Sequence, residues 1–558
     1  MSVLRLLLDH PLSALDEAKR AISSCLQRFR WIESGIALIA GAVATLGHAP
    51  FYFAPLYFIA IVILIRMLDL AALRSNRIAA AFGLAWWFGV GHFTSGLYWL
   101  SAAFAYDFGA WGSLAGACAV LALAAVLACF WGAGCALAIT LWTRDFRRVP
   151  VFAAAVASSE WLRGVAFTGF PWLLPGYVWP AGEPVSQSAS VVGIYGLSAL
   201  TLLFAAAPVV LWDRATKPAR RFAPLLFPVI VFAGLWIWGG ARLAQSPATQ
   251  SDPPVVRVAD SGLRQADKWI ERPDQEFRVL QHYLAASGAA GEADIIIWPE
   301  GAIPSVNSFV LENAALMDAL GAAISERTLV LGLTRRAQRG ERLAYYNSAV
   351  VIANANGRPE MAEIYDKHRL VPFGEYIPFW RVFSGLNIAP LQRIGTGFEP
   401  GASPPRQVRL PNAPAATILI CYEAIFPGLA PRGADRPAWI ISLTNDAWFG
   451  DGAGPWQHFA IARYRAIETG LPMARAASGG VSAIVDSHGR VVAANRGAGF
   501  AEARLPAPLP ETLFARFGLA TAALLVLIIA LLRIVPIRAQ ARAAGKQATT
   551  RGSSGPSV

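Results

Sequence analysis

SASVVGIYGLSALTLLFAAAPVVLWD, residues 188–213, is an apolar run whose only charged residue, Asp213, stands at its end. A helix needs roughly 20 apolar residues to cross a hydrocarbon core about 30 Å thick. Seven further stretches have the same character, near residues 33–48, 52–73, 78–101, 110–142, 149–167, 222–241 and 511–533. The sequence therefore predicts a polytopic α-helical membrane protein with eight spans.

The composition of the 558-residue chain supports a membrane protein. Hydrophobic residues make up 55% and charged residues 15%, whereas a soluble domain carries about 25% charged residues. A soluble enzyme of this length would have too little polar surface to cover its core. Disordered, collagen-like and disulfide-rich classes are excluded as well, since they need high charge, periodic glycine or many cysteines.

The positions of the basic residues predict how the chain is oriented. Lysine and arginine recur before the first span, in alternate connections and in the C-terminal tail, but are absent from residues 101–109 and 168–187. Because cytoplasmic loops carry the excess of basic residues, both termini are expected in the cytoplasm. The net charge of +12 then reports orientation, and no nucleic-acid partner is expected.

This pattern divides the chain into predicted regions. We expect a cytoplasmic leader, a seven-span bundle, an extracytoplasmic domain, an eighth span and a basic cytoplasmic tail. Their bounds are 1–32, 33–245, 246–508, 509–535 and 536–558.

Residues 246–508 differ from the spans, because Pro, Gly and charges return and the apolar runs become short. Helical patterns, such as those over residues 275–286, 311–326 and 457–468, separate some of these runs, which favours a layered α/β domain. Short turns such as Asn356-Gly357 and His488-Gly489 predict mixed strand directions. The predicted strands cover residues 255–259, 294–298, 328–333, 349–353, 416–420, 439–443 and 480–486.

Three side chains in this domain carry chemistry. Cys421 ends an apolar strand in TILICYEAIF and is the only cysteine of residues 246–508, so it has no disulfide partner there. Glu300 follows a strand in IIIWPEGAIP, where apolar neighbours suit a carboxylate to proton transfer. Lys367 lies in YDKHRLVPFGEYIPF, from which it can stabilise an oxyanion or lower the pKa of a thiol. A second carboxylate, Glu375, follows it.

Each of these residues also has a structural interpretation. Cys421 can be a small buried hydrophobe, Glu300 a surface carboxylate at a strand end, and Lys367 a lysine whose stem covers apolar surface. A Cys–His pair is a second catalytic hypothesis, with His368, His458 or His488 as the base. Two side chains of the fifth predicted span, Glu160 and Arg163, are three residues apart and can pair; alternatively, Arg163 contacts a phospholipid headgroup.

A strand-end Glu, a Lys in an apolar loop and a strand-end Cys, in that order, form the signature of the nitrilase superfamily. Together with eight spans, the sequence resembles the apolipoprotein N-acyltransferases of bacterial envelopes over almost its whole length. The motifs that carry the resemblance are GHFTSGLYWL (91–100), EWLRG (160–164), TGFPWLLPGY (168–177), DKW (267–269), WPE (298–300), YNS (346–348), DKHRLVPFGEYIP (366–378), CYEAIF (421–426) and NDAWFGDGAGPWQH (445–458).

The resemblance implies a nitrilase-like α-β-β-α sandwich inserted between the seventh and eighth spans. It implies that Glu300 is the general base, Lys367 the oxyanion partner and Cys421 the nucleophile, with Tyr422 supplying a backbone N–H to the oxyanion. The remaining expected site residues assist the triad, shape the nucleophile turn, or support the pocket, its lids or lipid contacts. They are Glu375, Tyr422, Glu423, Asn347, Trp269, Trp448 and Arg163.

The resemblance also implies the reaction. A glycerophospholipid would donate an acyl chain through a thioester on Cys421 to the α-amino group of a diacylglyceryl-modified apolipoprotein, without metal or cofactor. We expect a monomer of the bacterial inner membrane with its catalytic domain in the periplasm. Two rival hypotheses are a membrane-tethered amidase that hydrolyses a small amide and a transporter with an external domain.

Two turns depart from the family pattern. Residues 259–262 read ADSG where a Gln-Gly-Asn-like turn is usual, and residues 477–480 read ASGG in place of a Thr-Asn-rich turn. Both are candidates for lining the pocket, so they bear on substrate preference.

Overall fold

A computed structural model describes residues 31–107, 111–213, 218–245, 251–268, 274–288, 293–303, 312–355, 358–378, 380 and 397–534. These residues form a bundle of apolar helices, an α/β domain and a last apolar helix. The predicted leader up to residue 30 and the predicted tail lie outside them.

Seven of the predicted spans each coincide with a helix, while the eighth, near residues 511–533, contains two, Leu513–Phe517 and Ala520–Leu531, separated at Gly518. Before the domain, the helices are α1 Trp31–Gly47, α2 Ala54–Ala71, α3 Arg77–Gly96, α4 Ser101–Asp107, α5 Gly112–Thr140, α6 Arg148–Arg163, α7 Ala189–Ala206 and α8 Pro218–Leu243. In the described ranges, four helical stretches are long and apolar enough to cross a membrane, namely Ala54–Ala71, Gly112–Thr140, Val185–Trp212 and Pro224–Leu243. Several apolar helices are thus confirmed, while the number of eight crossings stays a prediction.

Small residues let the helices approach closely, as at the α1–α3 contact. A Cβ built on Gly41 would overlap the carbonyl of Phe88, and one on Gly91 would overlap the carbonyl of Leu38. Glycine at both positions therefore brings the two backbones into contact, which is how helices without a hydrophobic driving force between them gain packing energy.

The domain contains two six-stranded sheets. The first has the order β12-β1-β2-β3-β4-β5 and the second β11-β10-β9-β8-β7-β6. Parallel and antiparallel pairs occur in both, as predicted from the short turns. The strands are β1 Val255–Asp260, β2 Ile295–Ile297, β3 Thr328–Arg339, β4 Arg342–Ala355, β5 Arg358–Asp366, β6 Gln407–Leu410, β7 Ala413–Ile420, β8 Trp439–Asn445, β9 Met473–Ser478, β10 Val481–Val485, β11 Val491–Arg496 and β12 Gly499–Arg504.

The two sheets pack face to face around one apolar core, to which both contribute, as with Val258 from β1 and Ile441 from β8. Helices cover each outer face. The first sheet packs against α10 and α11, and the second against α12. This gives the predicted α-β-β-α order of layers. The helices of this part of the chain are α9 Gln265–Lys268, α10 Gln275–Ala286, α11 Ala314–Ile324, α12 Gly454–Thr469, α13 Leu513–Phe517 and α14 Ala520–Leu531.

Candidate active site

Three strand ends deliver the candidate catalytic side chains. Glu300 follows β2 after Trp298-Pro299, Lys367 follows β5 directly, and Cys421 follows β7. Because β2 and β5 belong to the first sheet and β7 to the second, the site lies where the ends of both sheets meet. The structure thus brings together all three residues that the sequence singled out.

Glu300 is held at both carboxylate oxygens. Its Oε1 accepts hydrogen bonds from Asn347 Nδ2 at 2.7 Å and Lys367 Nζ at 3.2 Å. Its Oε2 accepts from the backbone N–H of Asn445 at 3.0 Å. With 9% of its surface exposed, the carboxylate has a fixed orientation but retains some access to the pocket. Glu300 is therefore no freely rotating surface glutamate.

Glu375 is a second carboxylate that binds the same two donors. Its Oε1 lies 2.6 Å from Asn347 Nδ2 and 3.0 Å from Lys367 Nζ, and its Oε2 accepts from the N–H of Val371 at 2.7 Å. Lys367 and Asn347 therefore bridge two carboxylates, and the assisting role of Glu375 stays a prediction. Bridging charges in this way fixes the ammonium group, because each donor is already oriented before any substrate arrives.

The charges around Lys367 keep it protonated. Burial by itself would lower the pKa of this lysine, but the carboxylates of Glu300 and Glu375 outweigh burial and raise the pKa above its ordinary value. The side chain is buried, so its charge acts through a medium of low polarity. Lys367 is therefore a persistent cation beside Cys421.

Cys421 is a free cysteine that is partly exposed as a whole residue, although its sulfur is surrounded by protein atoms. Burial of the sulfur raises its pKa, the charge of Glu300 raises it further, and Lys367 and a hydrogen bond with Thr444 act in the opposite direction. The net pKa lies above the ordinary value. The prediction that Lys367 lowers the pKa of the thiol is correct for its own contribution, but other groups outweigh it. The resting residue is a neutral thiol that needs a base to become a nucleophile.

Glu423 orders the turn that begins with Cys421, Cys421–Ile425. Its buried carboxylate accepts from the N–H of Ile420 at 2.8 Å, the N–H of His368 at 2.9 Å and the hydroxyl of Tyr365 at 2.7 Å. Burial is the main reason that its pKa is raised. Glu423 thus ties the turn that carries Cys421 to the loop that carries Lys367.

Tyr422 connects the same turn to the helical bundle. Its hydroxyl donates to the carbonyl of Gly169 at 2.5 Å, in the segment after α6. The predicted contribution of its backbone N–H to an oxyanion stays a prediction.

The remaining predicted site residues, Trp448, Trp269 and Arg163, lie in different parts of the chain. Trp448 lies in the turn Asp446–Phe449 after β8 and is about one third exposed, whereas Trp269 lies outside the described residues. Arg163 is buried, donates to Glu160 at 2.5 Å and 3.0 Å, and also donates to the carbonyl of Trp172 at 2.9 Å. These contacts favour the structural pair over contact with a headgroup.

The two turns that depart from the family pattern contact each other. Asp260 Oδ2 accepts from the N–H of Gly479 at 3.2 Å, and Ser478 Oγ accepts from Lys268 Nζ at 2.6 Å. Ser478 also lies in register with Asn445, whose N–H binds Glu300. The two turns therefore lie side by side, and Ser478 of the second turn pairs with Asn445, which binds the candidate base Glu300.

None of the three histidines of the Cys–His hypothesis directs a recorded ring contact at the thiol, within the described part of the chain. His368 Nδ1 lies 3.0 Å from the carbonyl of Gly401, His458 Nε2 lies 3.3 Å from the backbone carbonyl of Cys421, and His488 lies beside Asp486. These contacts favour Glu300 as the base.

Sequence reasoning misses four groups that support the site, Thr444, Asn445, Asp446 and Arg475, and considers His458 only as an alternative base. Three of the four belong to β8 or to the NDAWFGDGAGPWQH segment, which enters the sequence analysis through its resemblance and not through its chemistry. Its alternation of Asn, Asp and His with aromatic residues was the available signal.

Comparison with known proteins identifies the family. Residues 40–207 match the family described as apolipoprotein N-acyltransferase N-terminal domain, and residues 257–500 match carbon-nitrogen hydrolase. The chain is 37% identical to an apolipoprotein N-acyltransferase from Rhodopseudomonas palustris, over 92% of this chain and 97% of that protein. It is 37% identical to the one from Bradyrhizobium diazoefficiens (94% and 98%) and 38% identical to the one from Caulobacter vibrioides (88% and 93%). By its two domains and by identity over nearly its whole length, the chain belongs to the apolipoprotein N-acyltransferase family.

Proposed function

We propose that this protein moves a fatty acyl chain from a membrane glycerophospholipid to the α-amino group of the N-terminal S-diacylglyceryl-cysteine of an apolipoprotein, through a thioester on Cys421. The observation that carries this proposal is the meeting of a buried ammonium, Lys367, an oriented carboxylate, Glu300, and a neutral thiol, Cys421, in a chain of this family.

In the first half-reaction, Cys421 attacks the ester carbonyl of the phospholipid. A C–S bond forms, the ester C–O bond breaks, and the thiol proton passes to Glu300 and then to the oxygen of the departing lysophospholipid. Supporting this role, the raised pKa of the thiol requires a base, and the contacts of Glu300 leave it oriented. Lys367 stabilises the tetrahedral oxyanion together with the backbone N–H of Tyr422.

In the second half-reaction, the α-amino group of the acceptor attacks the thioester. A C–N bond forms, the C–S bond breaks, and Glu300 carries the proton lost by the amine to the leaving thiolate. Water must stay away from the thioester, because hydrolysis would make the enzyme a phospholipase. The aromatic segments around Phe373 and around Trp448–Trp456 are suited to this task as lids or lipid contacts.

The topology is part of the proposal. Eight spans place both termini in the cytoplasm, and residues 246–508 lie in the periplasm of a bacterial inner-membrane protein. Both lipid substrates then lie in the adjoining leaflet and reach the site by lateral diffusion. The hydrogen bond from Tyr422 to Gly169 supports a site close to the bundle.

Intact-mass measurement tests this function. Purified full-length protein is mixed with vesicles of phosphatidylethanolamine and phosphatidylglycerol, and a diacylglyceryl-cysteine peptide is added afterwards. We expect a mass increase of one acyl chain without acceptor, its loss when the peptide is added, and N-acylated peptide as product. The Cys421→Ala variant should give none of these.

Two results would count against the proposal. Turnover of a small amide without acylation of the peptide would favour the amidase. Full physiological function of Cys421→Ala in cells would favour a transporter.

A further inference from the structure

The backbone of Cys421 is strained. Its φ is +48°, in the left-handed region that non-glycine residues occupy at a cost of about 1–2 kcal/mol. A nucleophile cannot be replaced by glycine, so its surroundings must hold this conformation. Just before the cysteine in the chain, the backbone N–H of Ile420 donates to Glu423 Oε2 at 2.8 Å. The carbonyl of Cys421 itself faces one side chain, His458, at 3.3 Å from Nε2.

The other ring nitrogen of His458 faces a carboxylate. Nδ1 lies 2.8 Å from Asp446 Oδ1, and Asp446 Oδ2 accepts from Arg475 Nη2 at 2.5 Å. All three side chains are buried. Burial alone would raise the pKa of Asp446, but Arg475 and His458 outweigh burial and hold this pKa below its ordinary value. Asp446 is therefore an ionised acceptor with no proton to donate.

The two ring nitrogens have different surroundings. Nδ1 lies between Asp446 Oδ1 and Arg475 Nη2, which is 3.5 Å away. Nε2 faces the carbonyl of Cys421, an acceptor that an N–H satisfies. The ring also packs against Trp172 and Phe449, with centroids 5.5 Å and 5.8 Å away. A phenylalanine ring would preserve this packing but not the hydrogen bonds, so a His458→Phe variant separates the two contributions.

We propose that His458 is a positioning residue whose Nε2–H donates to the carbonyl of Cys421 and keeps the nucleophile turn in its strained conformation for acyl transfer, while Asp446 and Arg475 hold the ring at Nδ1. This inference rests on the proposed function. It assigns His458 no proton transfer with the substrate, because its Nε2 is directed at the backbone carbonyl of the cysteine and not at the sulfur.

Single-turnover acylation of Cys421 tests the inference in the full-length protein. The rate at saturating phospholipid, the half-saturating phospholipid concentration and the thermal midpoint are measured for wild type, His458→Phe, His458→Gln and His458→Asn. The Phe ring keeps the packing and removes both ring nitrogens. The Gln amide is long enough to reach the carbonyl of Cys421, while the Asn amide reaches only the position of Nδ1.

We expect His458→Phe to lower the saturating rate by about 10- to 100-fold, because small misplacements of a reacting group have effects of this size. The half-saturating concentration should not change. His458→Gln should recover most of the rate, and His458→Asn should not. The Gln–Asn comparison decides the question even if the Phe variant fails to fold.

Equal rates for Gln and Asn, or a wild-type rate for a folded Phe variant, would overturn the inference and leave the proposed function intact. Failure of wild-type protein to form acyl-Cys421 would overturn both.

Discussion

At the scale of single residues, the thiol of Cys421 lies beside two opposite charges, those of Glu300 and Lys367. Glu300 raises the pKa of Cys421 and Lys367 lowers it, on top of the rise caused by burial. A cysteine protease that keeps a thiolate at rest would need the reverse balance. A thiol that stays protonated until a substrate is bound is less exposed to oxidation, which follows thiolate character.

This balance predicts opposite effects of two substitutions on the pH dependence of thiol alkylation. In Glu300→Gln, loss of the negative charge should lower the pKa of Cys421, so that alkylation by iodoacetamide begins at a lower pH than in wild type. In Lys367→Met, loss of the positive charge should shift the onset to higher pH. The measurement is the rate of Cys421 carbamidomethylation against pH, followed by mass.

The control for this experiment is Cys421→Ala, which corrects for alkylation of other cysteines such as Cys118 and Cys129, both exposed. Shifts of both variants in the same direction would contradict the charge balance described above.

The sequence predicts Glu300 and Cys421 because each follows an apolar run at a strand end, and Lys367 because it lies among apolar and aromatic residues. These contexts are local. It does not predict Asn445 or Arg475, because their importance comes from partners on other elements. Asn445 binds Glu300 across 145 positions, and Arg475 binds Asp446 from the adjacent strand. Contacts of this kind are set by the register between strands, which no local pattern records.

At the scale of elements, the apolar strands are predictable and the others are not. The sequence predicts β1, β2, β3, β7, β8, β10 and the central part of β4 from short apolar runs. β9 was missed although it lies in the middle of its sheet, because Arg475 interrupts its apolar pattern. The arginine is buried only because Asp446 pairs with it. The sequence misses β11 for another reason. Most of its residues are exposed, so the strand does not stand out as a buried apolar run.

One strand position controls the loop that carries Glu300. A Cβ added to Gly332 in β3 would lie 2.5 Å from Glu300 Cα and 2.7 Å from the carbonyl oxygen of Pro299. Since both neighbours are backbone atoms, the loop has to move. Gly332→Ala should therefore lower the rate of acyl-Cys421 formation by about 10-fold or more, and overpacking of this kind costs about 1–3 kcal/mol of stability.

The rate of acylation and the thermal midpoint of the purified variant test this expectation. Gly83→Ala is a matched control, because a Cβ at Gly83 meets no atom within 4 Å. A folded Gly332→Ala protein with the wild-type acylation rate would show that Glu300 does not need its present backbone position.

At the scale of the whole molecule, three segments noted separately in the sequence meet at one side chain. Gln457 Oε1, on α12 of the α/β domain, accepts from Trp99 Nε1 at 3.0 Å and from Trp172 Nε1 at 2.8 Å. At the other end of the same helix, Glu468 accepts from the N–H of Ile194 in α7 at 2.8 Å. The sequence reveals the motifs but not their contact, because the three residues lie up to 358 positions apart.

This junction holds α12 against the helical bundle. The same helix carries His458 and packs against the turn that begins with Cys421. Trp99 Nε1 also donates to the carbonyl of Gly96 at 3.0 Å. Replacing Gln457 with Leu therefore keeps the volume but removes the acceptor of the buried Trp172 indole N–H, at a cost of about 1–3 kcal/mol. We expect Gln457→Leu to lower the thermal midpoint in detergent and to slow acylation of Cys421 by phospholipid vesicles. Gln457→Glu keeps the acceptor oxygen and should stay closer to wild type on both measures. If Leu and Glu behave alike, the two tryptophans do not need Gln457 as an acceptor, and the domain does not depend on this hydrogen-bonded junction to keep Cys421 within reach of lipid.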